Sequence, residues 1–303
     1  MKLIDVILPI YNEPKEYFIK SIESILNQTY KNIHLIIILD NPDNIDANEY
    51  LDNLADNRVE IIKNNKNLGL IKSLNICLKK CLGDYIARMD ADDIAELNRL
   101  EKQKDYLEQN RLDFIGSNVI WFSDKENLFV SNLPSTNENI VYRSKFINCF
   151  YHPTFFFKKE VLDNVQEYPM TNYCEDLSFS LKVIIEGYKV GNTPECLVKY
   201  RFNPFGITNT KLAEQRLNSS FVRKKIHKVD DISYALKKYE ESKKYRMKVE
   251  RLKKYFIKKN LLLNKKKNIF KKIFSYSKCF LISPTNFIYD LFVRFVLKPV
   301  RRL

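Results

Sequence analysis

Glycine is scarce in this 303-residue chain, with only 6 residues. Because tight turns rely on glycine at positions of positive φ, this scarcity argues against a turn-dense, β-rich fold. The 6 cysteines form no C-x-x-C pair, and Cys77 and Cys81 have no nearby histidine to complete a zinc site. We therefore expect reduced, mostly buried thiols, as in a cytosolic protein.

Long apolar runs are missing as well. The best candidate, residues 279–297, is interrupted by Pro284, Asn286, Asp290 and Arg294, whereas a spanning helix needs roughly 18–20 apolar residues. Met1 and Lys2 lead directly into a short strand-like run, so no secretory leader is visible. These absences predict a protein that starts and stays in the cytoplasm.

The charge of the chain is divided unequally. Residues 211–303 hold 27 of the 51 Lys and Arg side chains but only 7 of the 37 Asp and Glu. The first 210 residues are therefore mildly acidic, and the remainder is strongly basic. Such a split predicts an acidic partner for the tail, either nucleic acid or an anionic membrane.

Strand and helix patterns alternate over the first 120 residues. Apolar runs predict strands at 6–10, 35–39, 58–63 and 85–89, with helices at 70–82 and 97–108 among the segments between and after them. This order predicts a parallel sheet with helices on both faces. Less regular patterns predict further strands at 114–122, 128–132, 154–158 and 198–202 and a helix at 176–186, so the sheet is expected to be mixed. We place the domain boundary near residue 210, with a helical region at 211–303.

Polar residues follow three of the predicted parallel strands, at the ends where ligands bind in open α/β sheets. They are Tyr11, Asn12 and Glu13; Asp40 and Asn41; and Asp90, Asp92 and Asp93. Mg²⁺ is commonly held by one or two carboxylates together with substrate phosphates, so these residues indicate a site for a nucleotide diphosphate and a divalent cation. The alternative for the acidic group alone is a solvated turn and helix N-cap.

The order and spacing of several short motifs resemble glycosyltransferase family 2, the inverting enzymes with the GT-A fold. The motifs are Val6-Ile7-Leu8-Pro9-Ile10-Tyr11-Asn12, Ser24-Ile25-Leu26-Asn27-Gln28-Thr29-Tyr30, Asn67-Leu68-Gly69-Leu70, Gly83-Asp84-Tyr85-Ile86, Met89-Asp90-Ala91-Asp92-Asp93, His152-Pro153-Thr154, Glu175-Asp176-Leu177 and Tyr200-Arg201-Phe202 with Ile207-Thr208. The resemblance covers about residues 3–210. It implies a GT-A mixed sheet flanked by helices, followed by the basic helical extension.

The resemblance also implies roles for the donor side of the site. Asp92 would bind Mn²⁺ or Mg²⁺, Asp90 would face the ribose and the metal, and Asp93 would support the donor sugar or the metal. Residues implied to contact the nucleotide sugar are Pro9, Tyr11, Glu13, Asp40 (to the uracil ring), Asn41, Asn67, Gly69 and Lys72. Lys72 has the alternative of a solvent-facing helix lysine. The sequence departs from the family at Asp40-Asn41-Pro42, where the family often has two acidic residues and then Gly-Ser, so the nucleotide loop is altered.

The acceptor side rests on fewer residues. The resemblance makes Asp176 the catalytic base and Glu175 a residue that orients the acceptor, because inversion needs a carboxylate within reach of the attacking hydroxyl. The alternative for this pair is acidity at a helix N-terminus. His152 and Arg201 are candidates for the acceptor side, with a structural histidine and an arginine paired to a carboxylate as their alternatives.

The basic tail contains lysine clusters interleaved with apolar residues, and Ser283-Pro284 begins a segment with an apolar face. This face comprises Phe287, Ile288, Leu291, Phe292, Phe295 and Val296. An amphipathic helix with basic flanks is suited to an anionic membrane surface, while packing on the catalytic domain is the alternative. No nucleic-acid module is recognisable, so no nucleic-acid partner is expected.

Together these features predict an inverting transferase of a hexose or N-acetylhexosamine from a UDP-sugar. By resemblance, the acceptor is a glycan or lipid-linked oligosaccharide of bacterial capsule, O-antigen or lipooligosaccharide synthesis. The enzyme is expected in the cytoplasm, peripheral at the inner face of the cell membrane. Two alternatives are a metal-dependent nucleotidyltransferase and a non-enzymatic protein that binds anionic lipid or nucleic acid through its tail.

Overall fold

A computed structural model describes residues 1–204, 206, 210–263, 283, 290 and 300–302. These residues fall into two compact units: Met1–Met170 with Glu175–Phe202 and Val300–Leu303, and Thr171–Cys174 with Asn203–Pro299. The predicted boundary near residue 210 stays a prediction. The predicted loop contribution of Ile207-Thr208, the lysine clusters at 265–272 and the apolar face at 287–296 lie outside the described residues.

Ten strands within the described residues form one mixed sheet. They are β1 Ile4–Ile10, β2 Ile33–Leu39, β3 Val59–Lys63, β4 Tyr85–Arg88, β5 Ile94–Ala95, β6 Phe114–Phe122, β7 Asn127–Ser131, β8 Phe156–Lys158, β9 Val190–Arg201 and β10 Val300–Arg302. The strand order is β10-β7-β6-β8-β4-β1-β2-β3, and β9 pairs with both β5 and β6.

The parallel part of the sheet is the part that the alternating pattern predicts. β1 pairs in parallel with β2 and β4, and β2 pairs in parallel with β3. The strands that follow are added mostly in the antiparallel sense, as β8 joins β4, β6 joins β8 and β7 joins β6. The expectation of a mixed α/β sheet is confirmed.

Helices of the first unit connect these strands. They are α1 Lys15–Leu26, α2 Ile45–Asp52, α3 Leu70–Lys80, α4 Arg99–Gln109, α5 Asn137–Ser144, α6 Val161–Val165 and α7 Glu175–Ile185, with a 3₁₀ turn at His152–Thr154. Alternate residues of β1 enter a core shared with α1, α2 and α4, and α3 contacts β1 and β2. Every residue of β1 is buried, as expected for a strand covered on both faces.

The second unit is described through three helices, α8 Leu212–Lys225, α9 Ile232–Glu240 and α10 Lys243–Leu263. Ala213 of α8 and Tyr245, Val249 and Leu252 of α10 form a buried core. Tyr239 of α9 packs against it, and its ring stacks on that of Phe221 at 4.6 Å between centroids. Among the described residues, no helix combines the length and apolar character needed to cross a bilayer.

Candidate active site

The polar ends of the parallel strands meet at one edge of the sheet. Asn41, which follows β2, donates from Nδ2 to Asn12 Oδ1 at 2.5 Å, and Asn44 donates to the main-chain oxygen of Tyr11 at 2.8 Å. A groove of about 560 Å³ opens here, lined by Asn12, Glu13, Pro14, Asn41, Asp43, Asn44, Ile45 and Asp46. Of the predicted nucleotide-binding residues, Glu13 and Asn41 line this groove, whereas Pro9 is buried in β1 and Tyr11 is exposed.

Asp40 shapes the loop that leads into α3. Its carboxylate is 4% exposed and accepts hydrogen bonds from Asn64 Nδ2, the Leu68 N–H and the Gly69 N–H, each at 2.8 Å. Gly69, at φ +85°, occupies a left-handed conformation that side chains other than glycine rarely adopt. Asp40 therefore has an internal structural role, and its contact with a uracil ring stays a prediction.

Two other loop residues predicted to contact the donor lie nearby. Asn67 Oδ1 accepts a second bond from the Gly69 N–H at 2.9 Å. Lys72 is exposed on the first turn of α3, in agreement with the alternative of a solvent-facing lysine. Its approach to a phosphate stays a prediction.

The acidic turn after β4 is organised around a buried arginine. Arg88 is 1% exposed and forms an ion pair with Asp90, whose main-chain oxygen accepts from Ser21 Oγ at 2.7 Å. Asp93 is 1% exposed; its Oδ1 accepts from the main-chain N–H of Arg201 at 2.7 Å, and its Oδ2 is buried without a hydrogen-bond partner. The turn is therefore held from two strands.

Negative charge is in excess at this turn. Burial, followed by the charges of Asp90 and Glu13, raises the pKa of Asp92 from 3.8 to about 7. The pKa of Asp93 is raised by burial and by Asp92, and the pKa of Glu13 is raised by burial. Arg88 acts in the opposite direction on all three carboxyl groups. A further cation would relieve the remaining repulsion.

The site fits a divalent metal that shares its coordination with a substrate. Within the described ranges, no group of three or more His, Cys, Asp or Glu side chains is placed to hold a metal ion. Asp90 and Asp92 with diphosphate oxygens and waters are nevertheless a donor set that suits Mg²⁺ or Mn²⁺. The raised pKa values and the unpaired oxygen of Asp93 agree with a place for positive charge.

Arg88 is a residue that the sequence reasoning missed. Its Nε and Nη1 are buried without a hydrogen-bond partner, and Arg99 Nη2 donates to its main-chain oxygen at 2.7 Å. Burial, followed by the charge of Arg88, lowers the pKa of Arg99 to about 9. A basic residue inside an otherwise apolar strand, two positions before an acidic turn, was the available signal.

A second acidic group lies at the first turn of α7. Asp176 Oδ2 accepts from Asn148 Nδ2 at 2.6 Å, a partner that nothing in the sequence indicated. Burial, followed by the charge of Asp176, raises the pKa of Glu175 to about 8. Asp90 and Arg88 also act on the pKa of Glu175, so the fold brings the two acidic groups within electrostatic range of each other.

His152 and Arg201 are held by the protein itself. His152 Nε2 lies 3.0 Å from the Tyr168 hydroxyl, and burial lowers the pKa of the ring well below its ordinary value. Arg201 is 7% exposed, donates from Nε to the main-chain oxygen of Asp92 at 2.8 Å and forms an ion pair with Asp124. These contacts match the structural alternatives, and an acceptor contact for either residue stays a prediction.

Known proteins with similar sequences are glycosyltransferases. The sequence model of the family described as "Glycosyl transferase family 2" matches residues 5–166. An uncharacterized glycosyltransferase of Methanocaldococcus jannaschii is 34% identical over 232 residues, covering 73% of this chain and 78% of the relative. The O-antigen biosynthesis glycosyltransferase WbnJ of Escherichia coli is 33% identical over 234 residues, covering 75% of this chain and 91% of the relative.

A solved structure shares the fold. Residues 1–349 of S. aureus TarS, in complex with UDP-GlcNAc, superpose with a TM-score of 0.58 at 17% identity, covering 78% of this chain and 69% of that one. The sequence-based expectation of a GT-A sheet is confirmed by this likeness.

Proposed function

Because the chain belongs to glycosyltransferase family 2, we propose that it transfers a hexose or N-acetylhexosamine from a UDP-sugar with inversion. The observation that carries this proposal is the pairing of two acidic groups with different surroundings. One, at Asp90–Asp93, interacts electrostatically with Glu13, which lines the groove at the strand ends, and the other, at Glu175–Asp176, begins α7. Family membership favours sugar transfer over the nucleotidyltransferase and non-enzymatic alternatives.

The groove is the proposed place of the nucleotide. Its lining is rich in amide and carboxylate side chains, which suit the hydrogen-bonding edges of a base and the hydroxyls of a ribose. TarS, which has the same fold, is known in complex with UDP-GlcNAc. Family membership and this likeness support UDP as the nucleotide of the donor.

Asp92 and Asp90 are the proposed ligands of Mn²⁺ or Mg²⁺. When bound, such a metal neutralises charge on the departing diphosphate. Arg88 holds the Asp90 carboxylate through its ion pair, and Arg201 holds the main chain of the turn through the oxygen of Asp92. These contacts order the turn before any ligand arrives, so less ordering is required on binding.

Asp176 is the proposed catalytic base. It would accept the proton of the acceptor hydroxyl as that oxygen attacks the anomeric carbon from the face opposite the diphosphate. Asn148 donates to Asp176 Oδ2 at 2.6 Å, which helps to fix the orientation of the carboxylate. Glu175, with its raised pKa, is suited to hydrogen-bond the acceptor.

The acceptor is proposed to be a growing glycan or lipid-linked oligosaccharide of a bacterial surface polysaccharide such as capsule, O-antigen or lipooligosaccharide. Support comes from the E. coli relative named for O-antigen biosynthesis. Helix α10 adds a second argument, since its exposed residues include seven cations: Lys243, Lys244, Arg246, Lys248, Arg251, Lys253 and Lys254. Such a face fits an anionic membrane, and we place the enzyme at the inner face of the cell membrane.

Thermal unfolding tests the donor and the metal together. The purified chain is heated with UDP, GDP or ADP, each with and without Mn²⁺. A ligand that binds only the folded state at 100 times its Kd stabilises it by about 2.7 kcal/mol. We expect the largest rise with UDP plus Mn²⁺. Equal rises with all three nucleotides, or none with any, would contradict the proposed donor.

A further inference from the structure

Arg201 connects the end of β9 to the acidic turn through two separate hydrogen bonds. Its main-chain N–H donates to Asp93 Oδ1 at 2.7 Å, and its side-chain Nε donates to the main-chain oxygen of Asp92 at 2.8 Å. Because Arg201 is only 7% exposed, water competes little for either bond. The Arg201 side chain therefore helps to hold Asp92, beside the contacts that Arg88 and Ser21 make with Asp90.

The Arg201 guanidinium is in turn held by two elements remote in sequence. Its central carbon lies 3.7 Å from the ring centroid of Tyr17 on α1 and 4.5 Å from that of Phe122 on β6. Its Nη1 pairs with Asp124 in the turn between β6 and β7, and the Tyr17 hydroxyl donates to Asp124 Oδ2 at 2.7 Å. Tyr17, Asp124 and Arg201 thus form a closed triangle of contacts, which we call the clamp.

The Asp124 side chain is 64% exposed. The Arg201 side chain, by contrast, is 6% exposed, so only one partner of this ion pair faces solvent. Asp124→Asn removes the charge but keeps a hydrogen-bond acceptor for the buried guanidinium, so we expect it to change the stability of the fold little. What the pair does fix is the direction of the guanidinium that reaches the Asp92–Asp93 turn.

We propose that Tyr17 and Asp124 are positioning residues, which hold Arg201 and, through it, the Asp92–Asp93 turn in the arrangement that binds metal and nucleotide. The inference rests on the proposed function of this turn. In this proposal Arg201 holds the turn that binds the donor. The turn between β6 and β7 takes part through Asp124, although its residues do not line the groove.

The test measures the affinity for Mn²⁺ in the presence of UDP, by calorimetry, for Asp124→Asn and Tyr17→Phe. Glu126→Gln is the matched control, because it removes the same charge from an exposed residue of the same turn. We expect each clamp variant to weaken Mn²⁺ binding about fivefold, because residues that contact one another and share a partner are energetically coupled. Glu126→Gln should change it less than twofold.

The Mn²⁺ affinity of the double variant Asp124→Asn/Tyr17→Phe should equal that of the single variant with the lower affinity, because both changes release the same guanidinium. Arg201→Lys keeps the charge but not the planar fork, so it should weaken Mn²⁺ binding at least as much as either. Melting temperatures without ligand should stay near wild type for Asp124→Asn and Tyr17→Phe.

Two results would overturn the proposal. If Asp124→Asn matches Glu126→Gln, or if the losses of the two single variants simply add, the clamp does not act as a unit. Wild-type binding of Mn²⁺ with UDP would then still support the proposed function. Failure of the wild-type chain itself to bind Mn²⁺ with any nucleotide would instead reject the proposed function and the clamp together.

Discussion

Replacing Asp92 by asparagine is expected to stabilise the metal-free protein at pH 8. Four carboxyl groups, those of Glu13, Asp90, Asp92 and Asp93, lie near one another, and the Arg88 guanidinium offsets only part of their mutual repulsion. At pH 8 Asp92 is ionised, although burial and the neighbouring carboxylates both disfavour its negative charge. Asparagine has nearly the same shape and carries no charge, so it removes this cost.

The magnitude follows from the pKa of Asp92, which burial and the neighbouring carboxylates raise from 3.8 to about 7. Each pH unit of difference between folded and unfolded states corresponds to about 1.36 kcal/mol, so the upper limit is about 4 kcal/mol. Since the folded state holds this proton longer than the unfolded state, stability is greatest below the unfolded pKa. It is lost as the pH rises through about 7.

The assay is urea unfolding of wild type and Asp92→Asn at pH 5 and pH 8 without metal. We expect the advantage of the variant to grow by about 1–3 kcal/mol between these pH values. Asp43→Asn, at an exposed carboxylate of the same groove, is the control and should show no such growth. With Mn²⁺ and UDP at pH 8, wild type should gain stability and Asp92→Asn should gain little.

The reasoning fails if Asp92→Asn is destabilised equally at both pH values. In that case Asp92 would be a structural hydrogen-bond partner rather than a repelled carboxylate. It also fails if the advantage of the variant shrinks from pH 5 to pH 8, because the sign of the linkage would then be opposite to the one that the raised pKa requires.

The remaining predictions concern the base and the basic helix. Asp176→Asn should lower kcat by about 10²–10⁴-fold, as expected for loss of a general base, while calorimetry shows unchanged binding of UDP with Mn²⁺. Equal loss of nucleotide binding would instead assign Asp176 to the donor side. The full chain should sediment with vesicles containing anionic lipid and not with neutral vesicles. Lys244→Glu/Lys248→Glu should reduce this binding, whereas Glu250→Gln, which removes a negative charge from the same helix, should not. Binding that ignores vesicle charge would contradict the membrane proposal.

Several elements of the fold were missed by the sequence reasoning for identifiable reasons. The first half of β9 contains Gly191, Asn192 and Pro194, which are poor strand formers, yet it pairs in parallel with β6. Helix α2 was also missed, although Asn44 caps it by accepting from the Ala47 N–H at 3.0 Å. That cap was a readable signal, whereas the pairing of β9 depends on contacts with a distant strand.

The sequence by itself determined the parallel core, the acidic turn at its edge and the family. A strand buried on both faces must be continuously apolar, and polar residues directly after it must lie at its exposed end. The apolar run and the polar residues are therefore neighbours in the sequence, where they can be recognised. Only the tertiary structure decided which partner each polar side chain has. Asn148 and Asp176 are 28 residues apart, and Arg201 and Asp93 are 108 apart. Hydrogen bonds between residues so far apart produce no recurring spacing in the sequence, because the intervening segment can have any length and composition. The same reason explains why the clamp was recognised only in the tertiary structure.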